Sequence, residues 1–174
     1  VFLSGVGVDR DALIGDEGDG WSVARTMLSS ERSAIGGGTS GRSVGDLIRT
    51  VHSVTAPGER PGPLRRQSVA AAYIRERVLD LHTQRARVDS PASAGSIGKL
   101  MYSEHARLSS SVGLEALGMA SVAGDDDRAA VWQDRFLFSP GLRIGGGTDE
   151  IQRNVIAERG LGLPREPKPP ESGA

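Results

Sequence analysis

The chain has 174 residues, enough for one domain with its own core and short for two. Its 21 basic and 22 acidic residues leave a formal net charge of -1, which excludes the basic excess of nucleic-acid binders, and zero cysteines exclude disulfides, thiol catalysis and cysteine-bound metals. No apolar run approaches the roughly 20 residues of a membrane helix and no basic-then-apolar leader opens the chain, which reads as soluble and cytoplasmic.

Residues 1–8, "VFLSGVGV", read as a short strand entered midway, so residues 1–16 are expected to be the tail of a β-domain in a chain that is the carboxy-terminal part of something larger. "DRDALIGDEGDG" is turn-rich. A first helix should begin near Trp21, with Trp21, Ala24, Met27 or Leu28, Glu31 and Ile35 on one face. Gly36-Gly37-Gly38 weakens it, although packing can carry it on through "RSVGDLIRTVHSV". A glycine run inside a packed helix admits a backbone or a flat ligand closely.

"TAPGERPGP", residues 55–63, is a loop. A second helix follows with Leu64, Ala71, Ile74, Val78 and Leu81 as its apolar stripe, and "DSPAS" ends it, with Ser90 as a cap for the next. The third helix carries Ile97, Leu100, Met101, Leu108 and Val112 and stops near Gly118. "AGDDDR" is a solvated turn, "AAVWQDRFLF" a short helix and "SPGL" a break. The last helix starts after Thr148, is expected to bury Ile151, Val155 and Ile156, and stops at Gly160; "LPREPKPPESGA" is too rich in proline and charge to pack. The fold class is all-α: an antiparallel helical bundle over residues 17–163, with the short strand before it and a flexible tail over 164–174.

Glu31 is the anomaly, a carboxylate on an apolar face. Desolvation disfavours a charged carboxylate and makes it a stronger base, which suits the removal of weakly acidic protons; a buried ion pair with Arg32 or another arginine is the alternative. Glu104 and Glu115 lie on or beside the third stripe and are more simply read as structural acids that find an arginine. A di-iron bundle needs Glu-x-x-His pairs, and His52, His82 and His105 each lack the Glu; no metal site, Gly-x-Ser-x-Gly elbow or Walker loop appears. In "GGGTDE" Thr148 is an N-cap and Asp149 and Glu150 complement the helix dipole. Two acids there repel phosphate. Three glycines exceed what a cap needs and point to close approach by something flat or by another chain.

"PGLRIGGGTDEIQRNVIAERGLGLPREP", taken with "DALIGDEGDGW" and "LSSERSAIGGG", closely resembles the acyl-CoA dehydrogenase family, over essentially the whole chain to about residue 166. The resemblance implies the carboxy-terminal half of such an enzyme: the end of the middle β-domain and the helical bundle that helps sandwich FAD and forms the oligomer core. It further implies α,β-dehydrogenation of an acyl-CoA thioester, with electrons passed to an electron-transfer flavoprotein. Many members place the catalytic glutamate just before the Gly-Thr of the closing motif, where Gly146 stands here. In the isovaleryl and long-chain types the base comes instead from a Glu-Arg pair on the first helix of the bundle, which "SERSAIGGG" matches with Glu31 and Arg32. By this resemblance Glu31 is the catalytic base, Arg32 and Gly147 border substrate, and Thr148, Asp149 and Glu150 touch FAD. Two family features are unmatched: Arg-x-x-Phe-Gly, of which Arg60 stands without the Phe, and a Gln with Gly-Gly, replaced by Glu115 and "GMASVAG". These departures suggest a heteromeric subgroup in which a partner completes the cofactor site. The alternative is a non-catalytic subunit or helical oligomerisation module, which Gly146 and the missing Arg-x-x-Phe-Gly would suit, and a third reading is a gene fragment with no activity of its own.

Overall fold

The computed structural model describes residues 1–37, 44–89, 91, 93–123 and 126–167. Among them are seven α-helices: α1 (Gly20–Gly37), α2 (Val44–Ser53), α3 (Pro63–Val88), α4 (Ala94–Leu117), α5 (Ala120–Ala123), α6 (Asp127–Ile144) and α7 (Asp149–Val155), the last passing into a π-helical turn over Ile156–Gly160. The expected cap Ser90 and the join between α1 and α2 lie outside the described residues. The expected strand is absent: residues 1–8 are exposed coil. A strand exists only where a neighbour takes its backbone hydrogen bonds, and no described residue offers an edge.

The bundle is organised on α4, against which α1, α2, α3, α6 and α7 all pack. Its sequence explains this: Ser96, Gly98, Ser103, Ser109, Ser110, Gly113 and Ala116 are buried, and small side chains let neighbouring helices approach. Ser103, Ser109 and Ser110 turn their hydroxyls to carbonyls within the helix; Ser110, for example, donates to the carbonyl of Ala106 at 2.8 Å. Of the expected stripe only Val112 is buried, while Ile97, Leu100, Met101 and Leu108 are half-buried. Gly118 ends α4 with a φ of +59°.

Two expectations are corrected here. The stripe assigned to α3 faces outward: Leu64, Ala71, Ile74, Val78 and Leu81 are exposed, and Ala72 and Leu79 are buried instead. Both faces of α3 are apolar enough for periodicity to pick the wrong one. The break at "SPGL" does not occur, since α6 runs through Pro140. Proline removes the N–H that would bond the carbonyl of Phe136, and the buried hydroxyl of Ser139 takes that carbonyl at 2.8 Å.

The core joins Val44, Leu47 and Val51 of α2 and Ala72 of α3 to Val112, Ala116 and Leu117 of α4 and Ala129 and Trp132 of α6. Trp132, 1% exposed, donates its Nε1 hydrogen to Thr50 Oγ1 at 2.9 Å, and Arg135 lies 4.8 Å over its ring while reaching Asp46 at 2.6 Å. His105, fully buried, sits 3.2 Å from Glu76, whose Oε2 also accepts from the first N–H of α2 at Val44. Burial pushes the His105 imidazole below its ordinary value, against the opposing pull of Glu76. His82 is half-buried and bonds the carbonyl of Ala94 at 2.9 Å; His52 is exposed.

Gly113 faces the Trp132 indole so closely that a Cβ would collide with the ring. Gly113→Ala is therefore expected to destabilise the chain by about 1–3 kcal/mol, read as a lower urea midpoint; an unchanged midpoint would show that the indole can shift.

Candidate active-site wall

The residues between α6 and α7 form a glycine loop. Gly145 N–H closes α6 on the carbonyl of Gly141 at 2.8 Å, and Gly147 N–H turns back to Ile144 at 3.1 Å. Gly146 and Gly147 have φ of +66° and +100°, where a side chain is strained. A Cβ at Gly146 would lie 3.1 Å from Arg32 Cγ, and one at Gly147 would lie 2.6 Å from Gln152 Nε2. The close approach read from the three glycines is thus made within the chain, by α1 and by Gln152.

That approach brings the Gly146 N–H to 3.0 Å from Glu31 Oε1. A carboxylate carried by α1 is hydrogen-bonded to the backbone of position 146. Arg32 turns its Nε to the carbonyl of Leu28 at 3.0 Å, so it braces α1. The expected desolvation of Glu31 is not found: Glu31 is exposed, as are Trp21 at 74% and Met27 at 65% on the same helix. Val23, Ala24, Leu28 and Ile35 are half-buried, so α1 leans on the bundle by one edge of its apolar face and Glu31 lies beyond that edge.

Behind the loop is a buried polar cluster. Lys99 of α4 has no exposed surface; its Nζ donates to Asp149 Oδ1 at 2.8 Å and to the carbonyl of Arg143 at 3.0 Å. Asp149 also accepts from Arg143 Nε at 2.7 Å, and Ser103 Oγ lies 3.2 Å from its Oδ1. Burial alone would raise Asp149, but the hydrogen bonds from Lys99 and Arg143, together with the Lys99 charge and the Ser103 hydroxyl, outweigh it and hold the carboxyl below its ordinary value. Gln152, fully buried, donates through Nε2 to the carbonyls of Gly146 at 2.8 Å and Gly147 at 3.2 Å. The buried side of α7 is therefore Asp149 and Gln152. Ile151, expected there, is 53% exposed, and Val155 and Ile156 are only half-buried.

Thr148 caps α7 by accepting from Ile151 N–H at 3.3 Å. Glu150 is exposed, and its own backbone N–H and the Thr148 hydroxyl hold it below its ordinary value. Of the expected site residues, Glu31, Arg32 and Gly147 meet at the loop, Thr148 and Glu150 sit on its outer side, and Asp149 points inward. Glu104 pairs with Arg75 at 3.1 Å and Arg153 at 3.7 Å, and Glu115 is exposed. A cleft of about 890 Å³ opens between α1 and α7, lined by Trp21, Arg25, Arg32, Gly146, Gly147, Gln152 and Arg159 among others, with no carboxylate among the described residues of its wall. Sequence reading missed Lys99, Arg143, Gln152, Arg25 and Arg159. The available signal for Lys99 was a lone lysine between Ile97 and Leu100.

The protein is thus a helical bundle closed by a capped glycine loop against a glutamate-bearing helix. The model of the acyl-CoA dehydrogenase C-terminal domain matches residues 18–161, and the chain belongs to the acyl-CoA dehydrogenase family. It is 31% identical to acyl-CoA dehydrogenase IpdE1 of Mycobacterium tuberculosis, over 97% of this chain and 44% of that protein. It is also 31% identical to acyl-CoA dehydrogenase FadE34 of the same organism, over 95% of this chain and 23% of that protein. The fold is similar to a chain in the crystal structure of the ChsE4-ChsE5 complex from M. tuberculosis, with a TM-score of 0.70 and 26% identity, covering 87% of this chain and 43% of that one. The chain thus spans less than half the length of these relatives. No helix among the described residues is long and apolar enough to cross a membrane.

Because Asp149 is held low in the folded chain, the stability it contributes is present above its unfolded value of about 4 and is lost as the pH falls through the folded one. In urea unfolding at several pH values, the stability gap between the wild type and Asp149→Asn should be widest above about pH 5 and close on acidification below about pH 4. A gap independent of pH would mean that the carboxylate is not held charged by Lys99 and Arg143.

Proposed function

We propose that this chain is the half of a flavin-dependent acyl-CoA dehydrogenase that carries the catalytic base, Glu31. The observation that supports this reading is the Gly146 N–H to Glu31 Oε1 hydrogen bond of 3.0 Å. Position 146, where many relatives bear the acid, holds a glycine, and a carboxylate from α1 reaches the same point of backbone. In the reaction Glu31 takes the proton from Cα of the thioester as a hydride leaves Cβ and the α,β double bond forms. FAD, when bound, supplies the hydride acceptor, and electron-transfer flavoprotein is the expected oxidant of the reduced cofactor. The backbone N–H holds one carboxylate oxygen and so aims the base, which limits the orientations lost on reaching the transition state.

The cleft fits the remainder of the substrate. Arg25, Arg32 and Arg159, unopposed by any carboxylate among the described residues of the wall, suit the phosphates of coenzyme A, and the exposed Trp21 suits its adenine. Gly147 contributes backbone without bulk. On the outer side of the loop, the Glu150 carboxylate repels phosphate, and together with the Thr148 hydroxyl it fits the hydroxyls and amine of FAD; Asp149 supports that turn from behind. Glu31 is exposed in this chain, so the dry surroundings a base needs come from the part of the enzyme that covers α1. The outward apolar residues Ile74, Val78 and Leu81 of α3 and Leu137 and Phe138 of α6 support assembly with a second helical bundle, identical or homologous.

The second reading is a non-catalytic subunit, favoured by the exposure of Glu31 and the unmatched Arg-x-x-Phe-Gly. One experiment separates the two. In the flavin-loaded assembly, Glu31→Gln should slow flavin reduction by acyl-CoA roughly 10²–10⁴-fold in anaerobic stopped-flow, the usual contribution of a general base. An unchanged rate would assign the base to the partner subunit and make this chain the non-catalytic one.

A further inference from the structure

We propose that Lys99 is the positioning residue for Glu31, acting across the glycine loop from the far side of the wall; this rests on Glu31 being the base. Three consecutive glycines have more backbone freedom than any other tripeptide, so a loop made of them does not hold an N–H in one direction unaided. Lys99 supplies the constraint. Its ammonium bonds a point just before the loop, the Arg143 carbonyl at 3.0 Å, and a point just after it, Asp149 Oδ1 at 2.8 Å. One buried charge thereby fixes the separation of the two ends of Ile144–Thr148. Arg143 Nε repeats the bridge to Asp149 Oδ2 at 2.7 Å, and Gln152 grips the carbonyls of Gly146 and Gly147. The Gly146 N–H then donates to Glu31 Oε1 at 3.0 Å. The chain of contacts runs from α4 through the loop to the base on α1.

A buried ion pair is weak support for stability, because the cost of desolvating both charges offsets most of their attraction. The same pair is well suited to fixing one geometry. Lys99 touches neither the cleft wall nor Glu31, so its loss should act on the chemical step and leave the cleft arginines in place to bind substrate.

The test is a double-mutant cycle in the assembled, flavin-loaded enzyme. Lys99→Met should lower the limiting rate of flavin reduction roughly 10–100-fold, the scale of an ångström-sized misplacement, with the acyl-CoA concentration at half-saturation changed less than about threefold. In a Glu31→Gln background the same change should lower the rate no further, because the residue it positions is gone. Hydrogen exchange should show the Gly146 amide at least about tenfold faster in Lys99→Met, with α2 and α3 unchanged. If Lys99→Met loses protection throughout, the neutral pair Lys99→Met/Asp149→Asn, which strands no buried charge, replaces it with the same expectations. An unchanged rate and unchanged Gly146 exchange would overturn the proposal, as would a Lys99→Met effect of equal size with and without Glu31. Failure of Glu31→Gln itself to slow reduction would instead overturn the assignment of the base.

Discussion

The site depends on one backbone approach, that of the Gly145–Gly147 loop to α1. A side chain at 146 would press on Arg32 and one at 147 on Gln152, and both residues need positive φ. Only glycine meets both demands. The approach lets the Gly146 N–H donate to Glu31 Oε1, and it leaves room beside the loop for the cleft between α1 and α7. In the proposed function, glycine at 146 and glutamate at 31 are two sides of one packing arrangement: a glycine in the loop lets its N–H meet the carboxylate carried by α1.

What holds the loop is polar, and what holds the bundle is not. The Trp132 core anchors α2, α4 and α6 by close packing, with Gly113 hollowed to receive the indole. At the other end of α4 the buried Lys99 and Ser103 meet Asp149 and hold α7 by charge-assisted hydrogen bonds. One helix thus presents a packing surface for stability at its carboxy-terminal half and a directional one for the site at its amino-terminal half. That division explains why so many of its buried residues are small or polar despite its place at the centre of the fold.

Much of this was legible in the sequence where a residue's local chemistry decides the outcome. The cap at Thr148, the stop at Gly118 and the loop read over residues 55–63 follow from residue type and spacing, whereas the pairing of Glu31 with the closing motif comes from the family resemblance. Where a partner decides, the sequence misleads. The outward face of α3, the uncovered Glu31 and the unformed strand at residues 1–8 are all exposed among the described residues, where no periodicity can say which face is covered. Pro140 shows a different failure: a helix breaker was neutralised by one hydroxyl, Ser139, which no periodicity reveals. Lys99, Arg143 and Gln152 escaped because their partners lie 44 or 50 residues away or on a loop carbonyl. Buried polar contacts of this kind leave no periodic signature.

The claim that a helix-borne carboxylate has taken the place of the loop acid is tested most directly by a crystal structure of the assembled enzyme with FAD and a non-reactive acyl-CoA analogue. The account predicts the Glu31 carboxylate within hydrogen-bonding range of Cα of the analogue, with one oxygen still on the Gly146 N–H. A different carboxylate at Cα, with Glu31 turned away from the ligand, would contradict it.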